Sequence, residues 1–402
     1  MPLPPGAAAE LLIIGGGLAA GWLARALHRR GLEVVLVSPR DSHIASFCGY
    51  GGVPWWLPEP DSAGGGPVMG RAPALWQALE AEQGLLGWQT CELSLHWSAA
   101  QEEQAAAVAD RYQGLVSGSR RHSGRLTLPY ARVDGVRLAQ AWPRLLERCC
   151  VDWIEAHAVA LEPGPAGGWH VLLEGGGSCV ARQVVLAAGA GSLALWPPLR
   201  DEDPPLAMSW AAALLVAGRD LPSALLPEGA GCQGAERGIV MPLLLQRPAL
   251  EARAGQLERP EWIVDAGLAP HGDDWLLGQL SLVAPAGGPS RTSAAGSSAP
   301  PDPAWLESRL RSALASTWPQ LAVLPGHLLH LPVAFRNAAR PWPGPVAGAP
   351  GLWSFCGFNG AFAMVPELAE RLAEQLIKAT CQTARPMKSQ PIPSSRDQTI
   401  TL

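Results

Sequence analysis

The stretch that most constrains the fold of this chain covers residues 11–38 and reads LLIIGGGLAAGWLARALHRRGLEVVLVS. Its first four residues are apolar, which is typical of a strand buried on both faces. Three consecutive glycines follow, and apolar residues then recur at helical spacing up to Gly31, a residue suited to ending a helix. Residues 34–37 form a second apolar run. The sequence therefore predicts a β-α-β unit with its glycines where the first strand meets the helix.

The glycine turn has the spacing of a dinucleotide-binding fingerprint, with Gly15, Gly17 and, in the third place, Ala20. A backbone without Cβ atoms can approach a pyrophosphate closely, and the amides and dipole of a helix N-terminus favour the anion. A glycine fingerprint alone is weak, but a position between two apolar strands strengthens it. We therefore expect this unit to bind a dinucleotide, the alternative being a Rossmann-like unit that binds nothing.

The end of the second strand does not choose between the dinucleotides. An acidic residue usually binds the ribose hydroxyls here, but Ser38 holds this place, and an uncharged hydroxyl binds more weakly. Asp41 could substitute from the following loop, whereas Arg40 could instead bind the 2′-phosphate of NADP. The fingerprint by itself thus leaves the cofactor open.

Composition limits the class of protein and its compartment. The 402 residues suffice for two domains of ordinary size, and 48% of them are hydrophobic. Only 16% are charged and the net charge is -5, which argues against nucleic acid because such binding needs a basic face. We expect no transmembrane segment and no secretory signal. The eight cysteines lack C-x-x-C or zinc-like spacing, which predicts free thiols in a reducing cytoplasm and no metal site.

Two later stretches also place small residues at the end of a strand. Residues 184–186 form a short apolar strand that ends in Ala-Ala-Gly, where backbone or ligand can approach closely. Residues 351–366, GLWSFCGFNGAFAMVP, predict a strand, a glycine loop and a helix with Pro366 in its first turn.

The apolar and polar residues of 206–283 alternate in a way that predicts a mixed or antiparallel sheet. A flexible loop at 284–303 and a disordered tail at 381–402 are expected from their composition.

The order of these pieces resembles the FAD-dependent oxidoreductases of the D-amino acid oxidase type, the family that includes glycine oxidase and sarcosine oxidase. The resemblance covers roughly residues 10–380. The family shows a GGG-x-x-G/A turn, a Ser- and Gly-rich flavin loop, a VD-x-x-x-L helix start, a VVLA-x-G strand, an Arg-bearing segment and a GLW strand before a Gly loop. The corresponding positions in this chain are 15–20, 45–52, 133–138, 184–189, 336 and 351–364.

The resemblance implies an α/β protein with two domains. A discontinuous, Rossmann-like FAD-binding domain would comprise residues 8–60, 126–205 and 326–380. Residues 61–125 and 206–325 would form a substrate domain, a mixed or antiparallel β-sheet over the reactive face of the flavin. The resemblance also selects FAD over NADP as the cofactor.

Several residues acquire an implied role in holding FAD. Gly15, Gly17 and Ala20 would flank the pyrophosphate, and Ser38 would lie near the adenosine ribose. A helix N-terminus near the flavin O2 would stabilise negative charge on the reduced ring. The other implied cofactor residues are Ala45 and Ser46 at the pyrophosphate and ribityl region, Ala158 near the adenine, Gly189 against the cofactor, and Gly360, Ala361, Phe362 and Met364 at the flavin O2 edge.

The implied reaction is oxidation of a small amine or amino acid at its C–N bond by hydride transfer to flavin N5. Oxygen or another acceptor would then reoxidise the flavin. Arg336 aligns with the arginine that anchors the substrate carboxylate, and a surface or ion-paired arginine is the alternative. Tyr50 and Tyr130 could line the substrate pocket, or could simply be packed with satisfied hydroxyls.

Departures from the family pattern keep two other functions open. The segment after Arg336 has no acidic turn, and Ser38 replaces the ribose-binding acid. One alternative is a hydroxy-acid dehydrogenase that passes electrons to a quinone or carrier, and the other is a flavin-binding protein with a degraded site. His43 lies where some flavoproteins attach FAD covalently, although a solvated loop histidine is the simpler interpretation.

Overall fold

The computed structural model describes residues 8–40, 44–57, 69–84, 86–164, 167–202, 205–221, 238–285, 300–336 and 343–383. Their strands are β1 (Ala9–Ile14), β2 (Val35–Val37), β3 (Trp88–His96), β4 (Arg120–His122), β5 (Arg125–Val133), β6 (Asp152–Ile154), β7 (Ala158–Pro163), β8 (Trp169–Leu173), β9 (Ser178–Leu186), β10 (Leu206–Val216), β11 (Ile239–Pro242), β12 (Glu261–Val264), β13 (Leu268–His271), β14 (Asp274–Val283), β15 (His327–Arg336), β16 (Gly344–Pro345) and β17 (Leu352–Ser354). Their α-helices are α1 (Leu18–His28), α2 (Ala72–Gln83), α3 (Glu102–Leu115), α4 (Gly135–Cys149), α5 (Ser192–Leu195), α6 (Arg247–Ala252), α7 (Pro303–Thr317), α8 (Pro319–Ala322) and α9 (Ala361–Thr383).

The first sheet contains the predicted β-α-β unit. Strands β17, β9, β1, β2 and β6 lie side by side in this order and run parallel. Leu12 lies opposite both Val35 and Val184, so β1 is a central strand, and its apolar residues are buried as predicted. Strands β7 and β8 pair antiparallel beside β9, and β16 pairs antiparallel with β17. The predicted α/β class is confirmed.

Helices α1, α2, α4 and α9 form one hydrophobic core with a face of this sheet. The contact between α1 and α4 is close because Gly21 lies under the indole of Trp142. A Cβ at Gly21 would lie 2.3 Å from that ring. The Trp142 indole N–H also donates to the carbonyl oxygen of Gly17 at 3.3 Å. These contacts fix the start of α1, next to the glycine turn.

The second sheet is mixed, as predicted for the substrate domain. Its order is β15-β10-β14-β13-β11-β3-β5-β4, with β12 beside β14. Among the described strands of this sheet, β11 and β3 form the one parallel pair. Helix α7 packs Leu306, Leu310 and Leu314 against one face. The opposite face borders the cavity described below.

Sheet membership differs from the predicted domain boundaries in three places. Strands β5 and β15 belong to the second sheet, although residues 126–205 and 326–380 were assigned to the FAD-binding domain. Helix α2 packs with α1 and α9, although residues 61–125 were assigned to the substrate domain. The chain passes from one layer to the other without a linker, since α4 follows β5 directly. The amino-acid composition therefore does not show where these passages occur.

The loop predicted at 284–303 and the tail predicted at 381–402 lie largely outside the described residues.

Asp134 connects the two layers. Its carboxylate caps α4 by accepting from the backbone N–H groups of Val136 and Arg137, each at 3.1 Å. It also accepts from the Gly272 amide at 2.9 Å, in the turn between β13 and β14, and from Arg132 at 3.1 Å. Burial alone would raise the pKa of Asp134, but these hydrogen bonds and the guanidinium outweigh it and hold the pKa below its usual value.

Replacement of Asp134 by alanine is expected to lower the free energy of unfolding by about 3 kcal/mol or more, because Arg132 would be left buried without this carboxylate. Urea unfolding of the purified protein measures the change. The matched control is Asp110→Ala, whose carboxylate is 70% exposed and bound to Arg121, with an expected loss of about 1 kcal/mol or less. Equal losses in the two variants would contradict the connecting role of Asp134.

The depressed pKa also predicts the pH dependence of this contribution. The stabilisation is complete above the unfolded-state pKa of an aspartate and is lost as pH falls through the lower folded-state pKa of Asp134. Asp134→Asn should therefore weaken the loss of stability on acidification. Urea midpoints measured across the acidic range for the wild type and this variant give the comparison, and identical slopes would contradict it.

Candidate active site

A cavity of about 1480 Å³ extends along the carboxyl edge of the parallel sheet. The residues that directly follow β1, β2, β9 and β17 line it, as do residues 156–159 before and at the start of β7. Such an edge is where open α/β sheets bind their ligands. The cavity continues under the second sheet, so one space adjoins both layers.

Most of the sequence-predicted site residues lie on this cavity. The predicted residues that line it are Gly15, Gly17, Ser38, Ala45, Ser46, Tyr50, Tyr130, Ala158, Gly189, Arg336, Gly360, Ala361, Phe362 and Met364. Residues that are more than three hundred positions apart in the chain thus meet at one place. Ala20 is the exception, because it is fully buried inside α1 and does not line the cavity. The third fingerprint position therefore serves helix packing rather than contact with a pyrophosphate.

The glycine turn forms a narrow cradle between β1 and β9. Gly15 has a φ of +117°, and a Cβ there would lie 2.5 Å from the carbonyl oxygen of Ala187. Gly17 caps α1 without a side-chain hydrogen bond, and the Leu18 amide donates to the hydroxyl of Ser46 at 3.2 Å. Backbone amides at a helix start, with no bulky side chain before them, suit a pyrophosphate. The cradle fits a dinucleotide.

The region after β2 does not favour NADP. Arg40 donates to Glu147 at 2.5 Å and to Glu155 at 3.2 Å, and its guanidinium lies 4.2 Å from the ring centre of Trp153. Its charge is thus matched by two carboxylates, which would repel a 2′-phosphate. The Ser38 hydroxyl donates to the carbonyl oxygen of Pro39 at 2.9 Å. The positions of Asp41 and His43, considered above for ribose binding and covalent attachment, lie outside the described residues.

Helix α9 begins at the cavity, earlier than the sequence predicts. It starts at Ala361, so Pro366 lies inside the helix and not in its first turn. Proline has no N–H to offer the carbonyl oxygen four residues before it, which belongs to Phe362. The indole N–H of Trp76 donates to that oxygen at 2.7 Å instead, and the two rings stack at 5.9 Å. Trp76 thereby keeps the helix start intact, with its amino end at the cavity.

Both predicted tyrosines line the cavity. The Tyr50 hydroxyl donates to the carbonyl oxygen of Gly278 at 2.9 Å. Tyr130 is buried and stacks with Trp55 at 6.3 Å. Burial raises the pKa of both hydroxyls far above the usual value, so both are protonated at neutral pH. Packing with a satisfied hydroxyl describes Tyr50, and a catalytic role for either tyrosine stays a prediction.

Arg336 differs most from its predicted role as a carboxylate anchor. It is 1% exposed at the end of β15. One guanidinium nitrogen donates to a carboxylate oxygen of Glu202 at 3.0 Å, and another donates to the Ser354 hydroxyl at 2.9 Å. The chain's own carboxylate thus holds part of the fork that was predicted to bind the substrate. The ion-paired arginine, named above as the alternative, describes the observed contacts.

The face of the second sheet supplies lining residues that the sequence did not reveal. Leu93 and Leu95 on β3 alternate with polar neighbours, and this signal could have identified the strand face. Gln279 on β14 could not have been found, because a shift in register opposite Ala212 and Leu214 breaks the alternation. Arg247 follows a turn and carries no motif. Glu202 likewise gave no sequence signal.

Comparison with known proteins identifies the family. The sequence matches the family described as FAD dependent oxidoreductase, DAO, over residues 10–375. The chain belongs to this family. It is an FAD-dependent oxidoreductase, and the prediction of FAD as its cofactor is confirmed. No curated protein sequence matches the chain.

Solved structures share the fold of this DAO-family chain at low identity. An iminodiacetate oxidase from Chelativorans sp. is 17% identical with a TM-score of 0.63, covering 92% of this chain and 95% of the other. A glycine oxidase from Geobacillus kaustophilus is 16% identical with a TM-score of 0.64 and covers 92% and 94%. An L-amino acid deaminase from Proteus myxofaciens is 14% identical with a TM-score of 0.60 and covers 94% and 91%.

None of the helices in the described parts of the chain has the length and apolar character needed to cross a membrane. Within the same parts, no three histidine, cysteine or acidic side chains are grouped so that they could hold a metal ion.

A substitution in the cradle should remove the cofactor. Gly15→Ala forces a Cβ against backbone atoms at a positive φ, and we expect a protein purified with little or no FAD and with a lower melting temperature. Absorbance of the released flavin per polypeptide measures this. The control is Gly114→Ala in α3, where a Cβ meets nothing within 4 Å and where helix propensity favours alanine. A Gly15→Ala protein with full FAD content would contradict the cradle.

Loss of the Trp76 hydrogen bond should loosen the start of α9. Trp76→Phe leaves the half-buried Phe362 carbonyl without its donor, and we expect a loss of about 1–3 kcal/mol in the free energy of unfolding. Weaker FAD binding should accompany it. Trp262→Phe is the control, since Trp262 is 37% exposed and its ring packs edge-on against Trp305. Unfolding curves and FAD titration of the two variants provide the measurement, and equal behaviour would contradict the role of Trp76.

Proposed function

We propose that this enzyme oxidises a small amine or amino acid at the C–N bond. The observation that carries the proposal is the single cavity that joins the glycine cradle and the start of α9 to the apolar face of the second sheet. A ring system bound near residues 360–364 would have that face opposite it, with space for a small substrate between the two. Bound FAD would supply the chemistry by accepting a hydride from the carbon that bears the amine.

The chain's own residues would bind, orient and shield. Gly15, Gly17 and the first amides of α1 would hold the pyrophosphate, and Ser46 lies beside them. The amino end of α9 would favour negative charge near residues 360–364. The apolar sheet face would exclude water from the reacting bond. In flavoenzymes the cofactor carries out the chemistry, and the protein supplies binding, orientation and electrostatic stabilisation of this kind.

The names of the structural neighbours support an amine substrate. They include oxidases of iminodiacetate and glycine, L-amino acid deaminases and an L-proline dehydrogenase. One neighbour is an L-alpha-glycerophosphate oxidase, which favours an alcohol-oxidising function as the second candidate. Oxygen or another acceptor would take the electrons from the reduced cofactor.

The compartment that we propose is a reducing cytoplasm. The seven cysteines of the described residues are free thiols, which supports it.

The visible spectrum of the purified protein tests the proposed function. We expect flavin bands that bleach under anaerobic conditions when an amino acid or small amine is added. The control is the same titration with a hydroxy acid such as lactate, which should leave the bands unchanged. Bleaching by the hydroxy acid alone would favour the dehydrogenase. A protein that stays colourless when FAD is added would refute the proposal.

A further inference from the structure

Three arginines line the cavity, and their surroundings differ. They are Arg111, Arg247 and Arg336. The guanidinium of Arg336 is buried and bound to Glu202 and Ser354. A substrate carboxylate could bind Arg336 only by displacing the Glu202 carboxylate. Leaving that charge unpaired in a largely buried site would cost binding free energy. The structure therefore directs attention to the other two arginines.

Arg247 has a fixed backbone, and its guanidinium lies near the carboxylates of Glu251 and Asp265. The backbone N–H groups of Gln246 and Arg247 donate to the carboxylate of Asp265 at 2.8 and 3.1 Å, which holds the start of α6 in place. The Arg247 side chain is 35% exposed, and its contact with Glu251 is a long one of 3.9 Å. Within the described parts of the chain, its guanidinium donates no hydrogen bond. A planar fork of N–H donors is thus presented at the cavity.

Gln279 is connected to Arg247 by hydrogen bonds that both residues make with Asp265. The backbones of Asp265 and Gln279 exchange two hydrogen bonds of 3.0 and 3.1 Å, so Asp265 holds both residues at one place. The Gln279 side chain is half-buried on the cavity face of β14 and makes no hydrogen bond to any described residue. Tyr50 belongs to the flavin loop (residues 45–52), and its pKa is raised chiefly by burial, with the charges of Asp265 and Arg247 also acting on it.

Most of the other side chains that the second sheet and its loops contribute to the cavity are apolar. They include residues of β3, β11 and β15 and of the loop after β11, namely Leu93, Leu95, Met241, Leu243, Leu329 and Leu331. A wall of this kind offers nothing to a polar side chain, whereas each buried methylene of a ligand gains about 0.8 kcal/mol. Arg111 is exposed on α3, a helix that contains neither Arg247 nor Gln279.

We propose that Arg247 binds the substrate carboxylate in a bidentate manner, that Gln279 adds a further hydrogen bond, and that the substrate is an amino acid with a bulky apolar side chain. This inference rests on the proposed function, because it assumes that the cavity holds an amine substrate. It assigns the anchor to the second sheet instead of to Arg336. It also separates this enzyme's preferred substrate from glycine, which cannot use the apolar wall.

The test uses the holoenzyme and two readouts. The first is a titration of the bound flavin spectrum with benzoate, a carboxylate that is not oxidised. Arg247→Gln should raise the benzoate dissociation constant by about 10- to 100-fold, the loss expected for a charge-assisted hydrogen-bonded pair. Arg247→Lys, which keeps the charge but loses the fork, should give an intermediate value. Arg253→Gln is the matched control, since Arg253 pairs with Glu261 at the surface and should leave binding unchanged.

The second readout is steady-state oxidation of both enantiomers of leucine and of glycine. We expect the preferred leucine enantiomer to exceed glycine in kcat/KM by at least about tenfold, and Arg247→Gln to raise KM more than it lowers kcat. Retention of FAD and of the melting temperature shows that each variant is folded. Wild-type benzoate affinity in Arg247→Gln, a larger loss in Arg111→Gln, or a preference for glycine would overturn the inference.

Failure of the proposed function is distinguishable from failure of this inference. If no amine bleaches the flavin but benzoate binds and depends on Arg247, the carboxylate site stands and the amine chemistry falls. If amines bleach the flavin while Arg247→Gln behaves as the wild type, the chemistry stands and the assignment of the anchor falls.

Discussion

The close approach of β1 to β9 is the constraint on which the cofactor site depends. The two strands pair in register up to Ile14 and Leu186, so the turns that follow them occupy the same small space. Gly15 meets this requirement because a Cβ there would lie against the Ala187 carbonyl. A sheet edge formed by bare backbone leaves room for phosphate oxygens and points amides at them. The cavity along this edge follows from that geometry.

Helix α4 connects this sheet edge to the second sheet, because it contacts both of them. Its Trp142 packs on Gly21 of α1, and its cap Asp134 accepts from Gly272 between β13 and β14. Its first residue, Gly135, lies so close to the flavin loop that a Cβ would be 2.2 Å from the carbonyl oxygen of Phe47. Helix α4 therefore contacts the start of α1 next to the cradle, the flavin loop and the second sheet. A rigid connection of this kind suits a reaction that depends on the distance between cofactor and substrate.

Much of the cofactor half could be predicted from the sequence because its determinants are local. A buried strand, a glycine turn and a helix are successive in the chain, and the same is true before α9. Ala20 was misassigned because a fingerprint position does not say whether it faces ligand or core. The start of α9 was misplaced because the donor to the Phe362 carbonyl, Trp76, is remote in sequence. The substrate half was predicted only as a sheet, since its register shift and its crossings from layer to layer have no local mark.

The sequence alone determined the α/β class, which depends on residues adjacent in the chain, and also the family and the choice of FAD, which depend on the order of several short motifs along it. Tertiary structure alone decided which charged groups remain available at the cavity. The sequence alone does not distinguish Arg336 from Arg247. Arg336 is buried and hydrogen-bonded to Glu202, whereas Arg247 is partly exposed and its contact with Glu251 is a long one of 3.9 Å. The physical reason is that the state of an arginine depends on the carboxylates that folding brings near it, and those come from distant parts of the chain.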